Sequence, residues 1–333
     1  MQKLINDPGH LVQESLEGFA AAHAELLEVS FDPDIVTRRD APVVGEVALL
    51  SGGGSGHEPL HAGFVGPGML HGACPGPIFT SPTPDQILAA TRRIESGAGV
   101  VYLVKNYSGD VMNFELAAEL ARETGIEVEF VLIDDDIAVP RAEGTQGRRG
   151  VAGTLLVEKL AGASAACGAP LKQVADVART AVTDMRSMGV ALSSCTIPIA
   201  SAPAFTLSAE EMEIGIGIHG ERGRARLPRE PADALVGRLV DPLLGELDLQ
   251  AGTQALVLVN SLGATTLAEL YVVYRRVHQL LAASEITISR RLIGHYVTSL
   301  DMQGCSVTIL KMTPERMDLW DYPVHTASLR WGR

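Results

Sequence analysis

Residues 100–133, VVYLVKNYSGDVMNFELAAELARETGIEVEFVLI, decide the fold. VVYLVKN (100–106) is rich in β-branched residues, too short for a helix, and predicts a buried strand. The expected helix runs from Val111 to Thr124 and is stopped by Gly125. IEVEFVLI (126–133) predicts a second strand, ending in Asp134, Asp135 and Asp136. Strand, helix, strand in this order predicts a βαβ unit and a mainly parallel sheet. Ligands of such sheets bind beyond the carboxyl ends of the strands. Lys105 to Asp110 and the three aspartates therefore fall where chemistry is expected.

Upstream, residues 9–28 predict an amphipathic helix, with Leu11, Leu16, Phe19, Ala22 and Leu26 near helical spacing. The apolar run Val44 to Leu50 predicts a buried strand leading into SGGGSGHEP (51–59). Glycine lets a ligand approach the backbone without meeting a Cβ. A serine- and glycine-rich turn at a strand end offers bare N–H groups to an anion or a hydroxylated small molecule. The stretch is no Walker A loop, because no Gly-Lys-Ser/Thr follows. Pro59, Gly63, Gly66, Pro67 and Gly68 break the helix that a dinucleotide fingerprint requires. A helix is expected over 84–97.

Downstream, helices are expected over 150–167 and 171–188, with a domain boundary at about 185–192. A second α/β unit follows: strands at 190–199 and 213–220, a helix at 232–247, a strand at 254–260 and a helix at 266–283. The segments 294–300 and 305–312 read as a hairpin joined through Asp301 to Gly304. The expected class is α/β, with two α/β domains, 1–188 and 189–333. The first carries a mainly parallel sheet and the second a mixed one.

The chain has 333 residues, 46% hydrophobic and 20% charged, enough for a sizeable core. A net charge of −13 disfavours nucleic acid and anionic membrane surfaces as partners. Four scattered cysteines without a CxxC disfavour structural zinc and disulfides and fit a reducing, cytoplasmic setting. MQKLINDPGH has no apolar core, so no signal peptide is expected. No bound metal is expected.

Several residues could carry chemistry. His219 sits in GIGIHGERG, where glycines let a ligand come close; its imidazole is a nucleophile, a general base, a hydrogen-bonding group or a structural histidine. Asp110 is a general base or a helix N-cap. Lys105 binds a phosphate or a substrate hydroxyl, or is a strand-end lysine with its head in solvent. Asp134 to Asp136 read as a solvated acidic loop in preference to an oxygen-rich metal site. His61 and His71 are weaker candidates for the pocket. His10, His23, His278, His295 and His325 read as structural or surface residues.

Five motifs then assemble in order and spacing: LLSGGGSGHEPLHAGFVGPGML, CPGPIFTSPTPDQI, VKNYSGDVMNFELA, RRGVAGTLLVEKLAGA and EIGIGIHGERG. Together they resemble the dihydroxyacetone-binding K subunits of dihydroxyacetone kinases, from about residue 10 to the end. The CPGPIFTSPTPDQ stretch is more similar to the form driven by the phosphoenolpyruvate phosphotransferase system than to single-chain ATP-dependent enzymes. IDDDIAV departs from the asparagine before two aspartates that many relatives carry.

The resemblance implies two α/β domains in a homodimer and a ketose held as a hemiaminal on His219. It implies that Gly54 and Lys105, with Gly53 and Ser55 of the same loop, bind substrate hydroxyls. His57 and Asp110 would activate the hydroxyl that receives the phosphoryl group. No tightly bound cofactor is implied on this chain. ADP or ATP with Mg²⁺ would sit on a nucleotide-binding L subunit, recharged by a phosphoryl-carrier M subunit. Two alternatives are a non-catalytic dihydroxyacetone-binding co-activator of a transcription regulator and a kinase subunit for a ketose such as erythrulose.

Overall fold

The structure, a computed structural model, describes residues 3–140, 146–200 and 202–332. A 3-10 turn (Pro8–His10) is capped by the Asp7 carboxylate and leads into α1 (Leu11–Ala22). The helix stops short of the expected residue 28. Leu27–Ser30 forms β1 instead, paired antiparallel with β2 (Ile35–Arg38). Over so short an apolar run either period fits, and pairing decides.

The glycines also depart from expectation. β3 spans Ala48–Ser55, so Gly52, Gly53 and Gly54 continue the strand and pair in parallel with Cys74, Pro75 and Gly76 of β4 (Gly72–Ile78). They are a strand and not a turn because main chain crowds them. A Cβ on Gly52 would lie 2.7 Å from the Cys74 carbonyl oxygen, and one on Gly54 would lie 2.4 Å from the Thr80 nitrogen. Overpacking of this kind costs roughly 1–3 kcal/mol. Gly54→Ala should therefore lower the melting temperature clearly. Gly18→Ala on α1, where the added Cβ meets nothing within 4 Å, should leave it unchanged or raise it. Equal melting curves for wild type and Gly54→Ala would refute this account.

The βαβ reading holds. After α2 (Pro84–Ile94) come β5 (Val100–Lys105), α3 (Ser108–Glu123) and β6 (Val128–Ile133). The strand order is β1-β2-β4-β3-β5-β6. β4, β3, β5 and β6 run parallel, with the β1–β2 hairpin antiparallel at one edge. Side chains alternate across the pleat. Val100, Tyr102 and Val104 pack with α2 and α3, while Val101 and Leu103 pack with α4 (Thr154–Ala166) and α5 (Leu171–Thr183).

β7 (Met185–Ala191) follows, so the expected helix over 171–188 ends early, and the expected boundary at 188 falls within this strand. Next come the short pair β8 (Thr196–Ile197) and β9 (Ala202–Pro203), then β10 (Glu211–Ile214), β11 (Ala225–Pro228) and α6 (Ala232–Leu247). β12 (Gln254–Ser261), α7 (Leu267–Ala283), β13 (Thr287–Gly294) and β14 (Gly304–Met312) complete a sheet of order β11-β10-β7-β14-β12-β13. It is mixed, as expected: β12–β13 is parallel and the other pairs are antiparallel. The expected hairpin of 294–300 with 305–312 does not form. β13 flanks β12 on one side and β14 on the other, and residues 295–300 are a loop.

The second sheet also buries both faces. Leu256, Leu258 and Leu310 join the cluster around α4 and α5, whereas Ala255, Val257 and Val259 pack with α6 and α7. The layers thus run helix, sheet, helix, sheet, helix. The middle helix α4 is buried from Thr154 through Ala165, Glu158 and Lys159 included. The tail, α8 (Pro314–Asp321) with β15 (Val324–His325) and β16 (Arg330–Trp331), returns to it. The Lys159 ammonium donates to the Leu319 and Tyr322 carbonyls and lies 5.8 Å from the centre of the buried Trp320 ring. No helix among the described residues is long and apolar enough to cross a membrane.

Candidate active site

The carboxyl ends of β3 and β5 meet at the middle of the first sheet, where strand order reverses and ligands of such sheets bind. Lys105 closes β5 and is 1% exposed, so it is no solvent-facing lysine. Its ammonium donates to the Gly52 carbonyl at 3.2 Å and lies 2.7 Å from Nε2 of His61. A Cβ on Gly53 would come within 2.5 Å of Lys105 Nζ and 3.6 Å of Asp110 Oδ2. The bare face of Gly53 is therefore flanked by a buried cation and a carboxylate.

Asp110 is the third residue of α3, whose N-cap is Tyr107, so the N-cap reading fails. The residue is buried and its Oδ1 has no partner among the described residues. His57, just past β3, donates from Nδ1 to the Thr298 carbonyl at 2.8 Å and stacks on Phe79. A carbonyl only accepts, so Nε2 carries the lone pair. That atom too is buried without a partner. Burial, helped by the neighbouring His219 and Lys105 side chains, holds the His57 pKa well below its ordinary value. This imidazole is neutral.

His219 arrives from the second sheet. β10 ends at Ile214, so the expected strand over 213–220 stops early, and Gly215, with φ of 78°, turns the chain. Glu221 grips the histidine twice, accepting from Nδ1 and from the backbone N–H at 2.9 Å each. The His219 ring stands edge-on to His57 at 4.7 Å, Tyr107 at 4.6 Å and Phe79 at 5.2 Å between centres. Burial pushes the Glu221 pKa up, but the hydrogen bond from His219 and the neighbouring His219 and Arg149 side chains bring it down to about 2. An ionised Glu221 fixes the proton on Nδ1 and leaves the Nε2 lone pair of His219 free.

Known proteins match this chain over nearly its whole length. A Dak1 domain covers residues 17–328. The chain belongs to the Dak1 family. It is 48% identical, over all of both chains, to the dihydroxyacetone-binding subunit DhaK of the PEP-dependent dihydroxyacetone kinase of Escherichia coli K12. It is 42% identical to the L-erythrulose 1-kinase of Mycolicibacterium smegmatis, covering all of this chain and 58% of that one. Among solved structures, the dihydroxyacetone kinase operon co-activator Dha-DhaQ superposes with a TM-score of 0.89 at 34% identity, over 95% of this chain and 97% of that one. The dihydroxyacetone kinase of C. freundii in complex with AMP-PNP and Mg²⁺ gives 0.87 at 36% identity, over 99% and 61%. The full-length relatives include several named dihydroxyacetone kinase subunits, phosphotransferases acting on an alcohol. The enzyme class and the phosphotransferase-dependent type expected from the sequence are theirs.

Other Dak1 positions fall differently from their sequence readings. Asp135 and Asp136 are 0% and 1% exposed, so they are not a solvated loop. Asp135 accepts from the Val151 and Gly153 N–H groups, and Asp136 pairs with Arg149. Arg149 in turn donates to the Gly215 carbonyl, tying the first sheet to the His219 loop. Among the described residues no group of three His, Cys, Asp or Glu side chains is placed to hold a metal ion. His71 accepts from the Leu49 N–H and contacts Arg38 and Glu46, away from His219. The Ser55 hydroxyl donates to the Gly76 carbonyl within the sheet.

Sequence reasoning missed Tyr107, Arg149 and Glu221. Only Glu221 left a local signal, an acid two residues beyond His219 in HGERG. A Cβ on Gly217 would lie 1.9 Å from Glu221 Oε2, which explains the glycine before Ile218. Glu221→Gln should weaken ketose capture about tenfold or more, by losing the charge that fixes the tautomer and stabilises an imidazolium. Carbon NMR titration with labelled ketone measures it. Undiminished capture would show that Glu221 does not prepare His219.

Proposed function

We propose that this chain is the substrate subunit of a phosphoenolpyruvate-dependent dihydroxyacetone kinase. One observation carries the reading. Three buried polar atoms without partners among the described residues, His57 Nε2, Asp110 Oδ1 and Tyr107 Oη, belong to residues gathered around His219 and the bare face of Gly53. Buried polar atoms are almost always satisfied, so such a group marks a place for a polar ligand.

His219 Nε2 adds to the ketone carbon. The carbonyl π pair moves to oxygen, which takes up a proton, and ionised Glu221 stabilises the positive ring as the N–C bond forms. The Nδ1 proton then passes to solvent, balancing the one that the oxygen took from solvent, and a neutral hemiaminal remains. Glycerol, having no carbonyl, is rejected by chemistry and not by size. The Gly53–Ser55 backbone and Lys105 hold the hydroxyls. Asp110 takes the proton of the reacting hydroxyl, with His57 Nε2 beside it, and the rest is positioning and charge stabilisation.

The donor nucleotide with Mg²⁺ sits on an L subunit docked over the open end of the site, an M subunit recharges it, and no cofactor is held tightly here. The assembly works in the cytoplasm as a homodimer, for which Leu267, Tyr271 and Val272, exposed on α7, offer an apolar face. Phosphorylation of dihydroxyacetone only when the L and M subunits and phosphoenolpyruvate are supplied is the expected result. Full activity of this chain alone with MgATP would overturn the reading.

Two other readings have specific support. The likeness to the Dha-DhaQ co-activator favours a sensor, which needs His219 but no base at Asp110. The likeness to L-erythrulose 1-kinase favours a four-carbon ketose, which a comparison of kcat/KM for the two ketoses decides.

A further inference from the structure

The motif RRGVAGTLLVEKLAGA places two charged residues, Glu158 and Lys159, on α4 with no exposure at all. Lys159 is accounted for by the tail. Glu158 faces another way. Its Oε1 lies 2.6 Å from Nδ1 of His61, and its Oε2 has no partner. Across the ring, His61 Nε2 lies 2.7 Å from Lys105 Nζ. Three titratable groups from α4, the segment after β3 and the end of β5 thus form one buried line into the site.

Hydrogen-bond chemistry fixes its direction. An ammonium only donates and a carboxylate only accepts. Lys105 donating to Nε2 puts the His61 proton on Nδ1, where Glu158 accepts it. We propose that Glu158 and His61 are positioning residues, a buried proton relay that aims Lys105 at the ketose and sets its charge. This rests on the function proposed above. Of the three ammonium N–H groups, one goes to the Gly52 carbonyl and one to His61, leaving a single donor for the substrate hydroxyl beside Gly53.

The line has a second form with the same protons. A proton passes from Lys105 Nζ to His61 Nε2 while the Nδ1 proton passes to Glu158 Oε1, giving a neutral amine, a neutral imidazole and a neutral acid. Positive charge beside the ketose is thereby withdrawn or restored without exchange with solvent. When Asp110 takes the hydroxyl proton, Lys105 loses a neighbouring negative charge, and the relay lets the positive charge follow. Burial lowers the pKa of Lys105 and of His61 and raises that of Glu158, which brings the two forms closer in energy than they are in water. The other titratable groups facing the line are Asp110 from α3, His57, and Glu58, His23 and His295. The last three line, with His61, a cavity of about 500 Å³ between α1 and the glycine strand.

Two measurements on the full chain test this. Nitrogen NMR with labelled histidine, His61 being assigned by the signal lost in His61→Asn, should show a neutral ring protonated at Nδ1 in the ketose-free wild type. An imidazolium overturns the relay, and a ring protonated at Nε2 overturns the charged resting form from which Lys105 is proposed to act. The second compares dihydroxyacetone affinity against pH for wild type and Glu158→Gln. The carboxamide keeps the shape and loses the charge that supports the Lys105 ammonium. Loss of affinity on the alkaline side should therefore begin at a proton concentration about tenfold or more higher in the variant. A uniform loss at every pH, with no displaced limb, would mean a structural role only and overturns the proposal. The NMR result stands even if Glu158→Gln fails to fold. A wild type that captures no ketose refutes the proposed function separately, leaving the His61 tautomer to judge the relay.

Discussion

With ketone-labelled dihydroxyacetone, the wild-type chain is expected to move the carbonyl carbon signal to a tetrahedral position, and His219→Ala to leave it trigonal. The same substitution lowers kcat/KM in the reconstituted system by about 10³-fold or more, because the variant must hold a small, freely tumbling molecule by hydrogen bonds alone. The geometry leaves little room for a substitute nucleophile. His57 turns its free Nε2 toward the site but is anchored by the Thr298 carbonyl and stacked on Phe79. His61 is occupied on both nitrogens by Glu158 and Lys105. Folding is not at stake, since the His219 side chain is 19% exposed on a loop. A tetrahedral signal that survives in His219→Ala would sink covalent capture at this residue.

The second large effect separates capture from chemistry. Asp110→Asn keeps the tetrahedral signal and lowers kcat by about 10²- to 10⁴-fold, the usual range for loss of a general base. The carboxamide fits the same space in the first turn of α3 but cannot take a proton. KM changes little, because His219 and the glycine strand are untouched. The co-activator reading predicts something else: ketose binding with no phosphorylation in the wild type, and so nothing for the substitution to remove. Retention of kcat within a few-fold would move the base to His57, whose free Nε2 is the other candidate acceptor.

Much of the first sheet was legible because its strands are buried on both faces and bounded by glycine. VVYLVK and VEFVLI read as strands and are strands, and α6 lies where its apolar spacing put it. The errors have a common cause. β1, the strand of glycines and β7 owe their state to pairing partners far along the chain, which no local period reports. The expected hairpin failed for the same reason, since β12 inserts between its two halves. The motifs singled out Lys105, Asp110, His57 and His219, and the structure brings Lys105 and Asp110 to Gly53 and His57 to His219. Their surroundings were not legible. Arg149 and Asp136 stand close because the Asp136 N–H bonds the Arg149 carbonyl across a loop that no period reports, and Glu158, which looks like an ordinary surface glutamate in VEKLAGA, turns inward only because α4 has no outward face.

The glycine strand has a consequence for how this scaffold can change. Where a pocket wall is made of side chains, single substitutions resize it, and selection explores new substrates in small steps. Here one wall is main chain pressed against main chain, so nearly every exchange at Gly52 or Gly54 breaks the wall before it reshapes the ligand space. Innovation is channelled to walls made of side chains, such as the Phe79 and Tyr107 rings that stand against His219. Divergence between three- and four-carbon ketoses within such a lineage is thus expected to be written in those side chains, while the glycines stay silent.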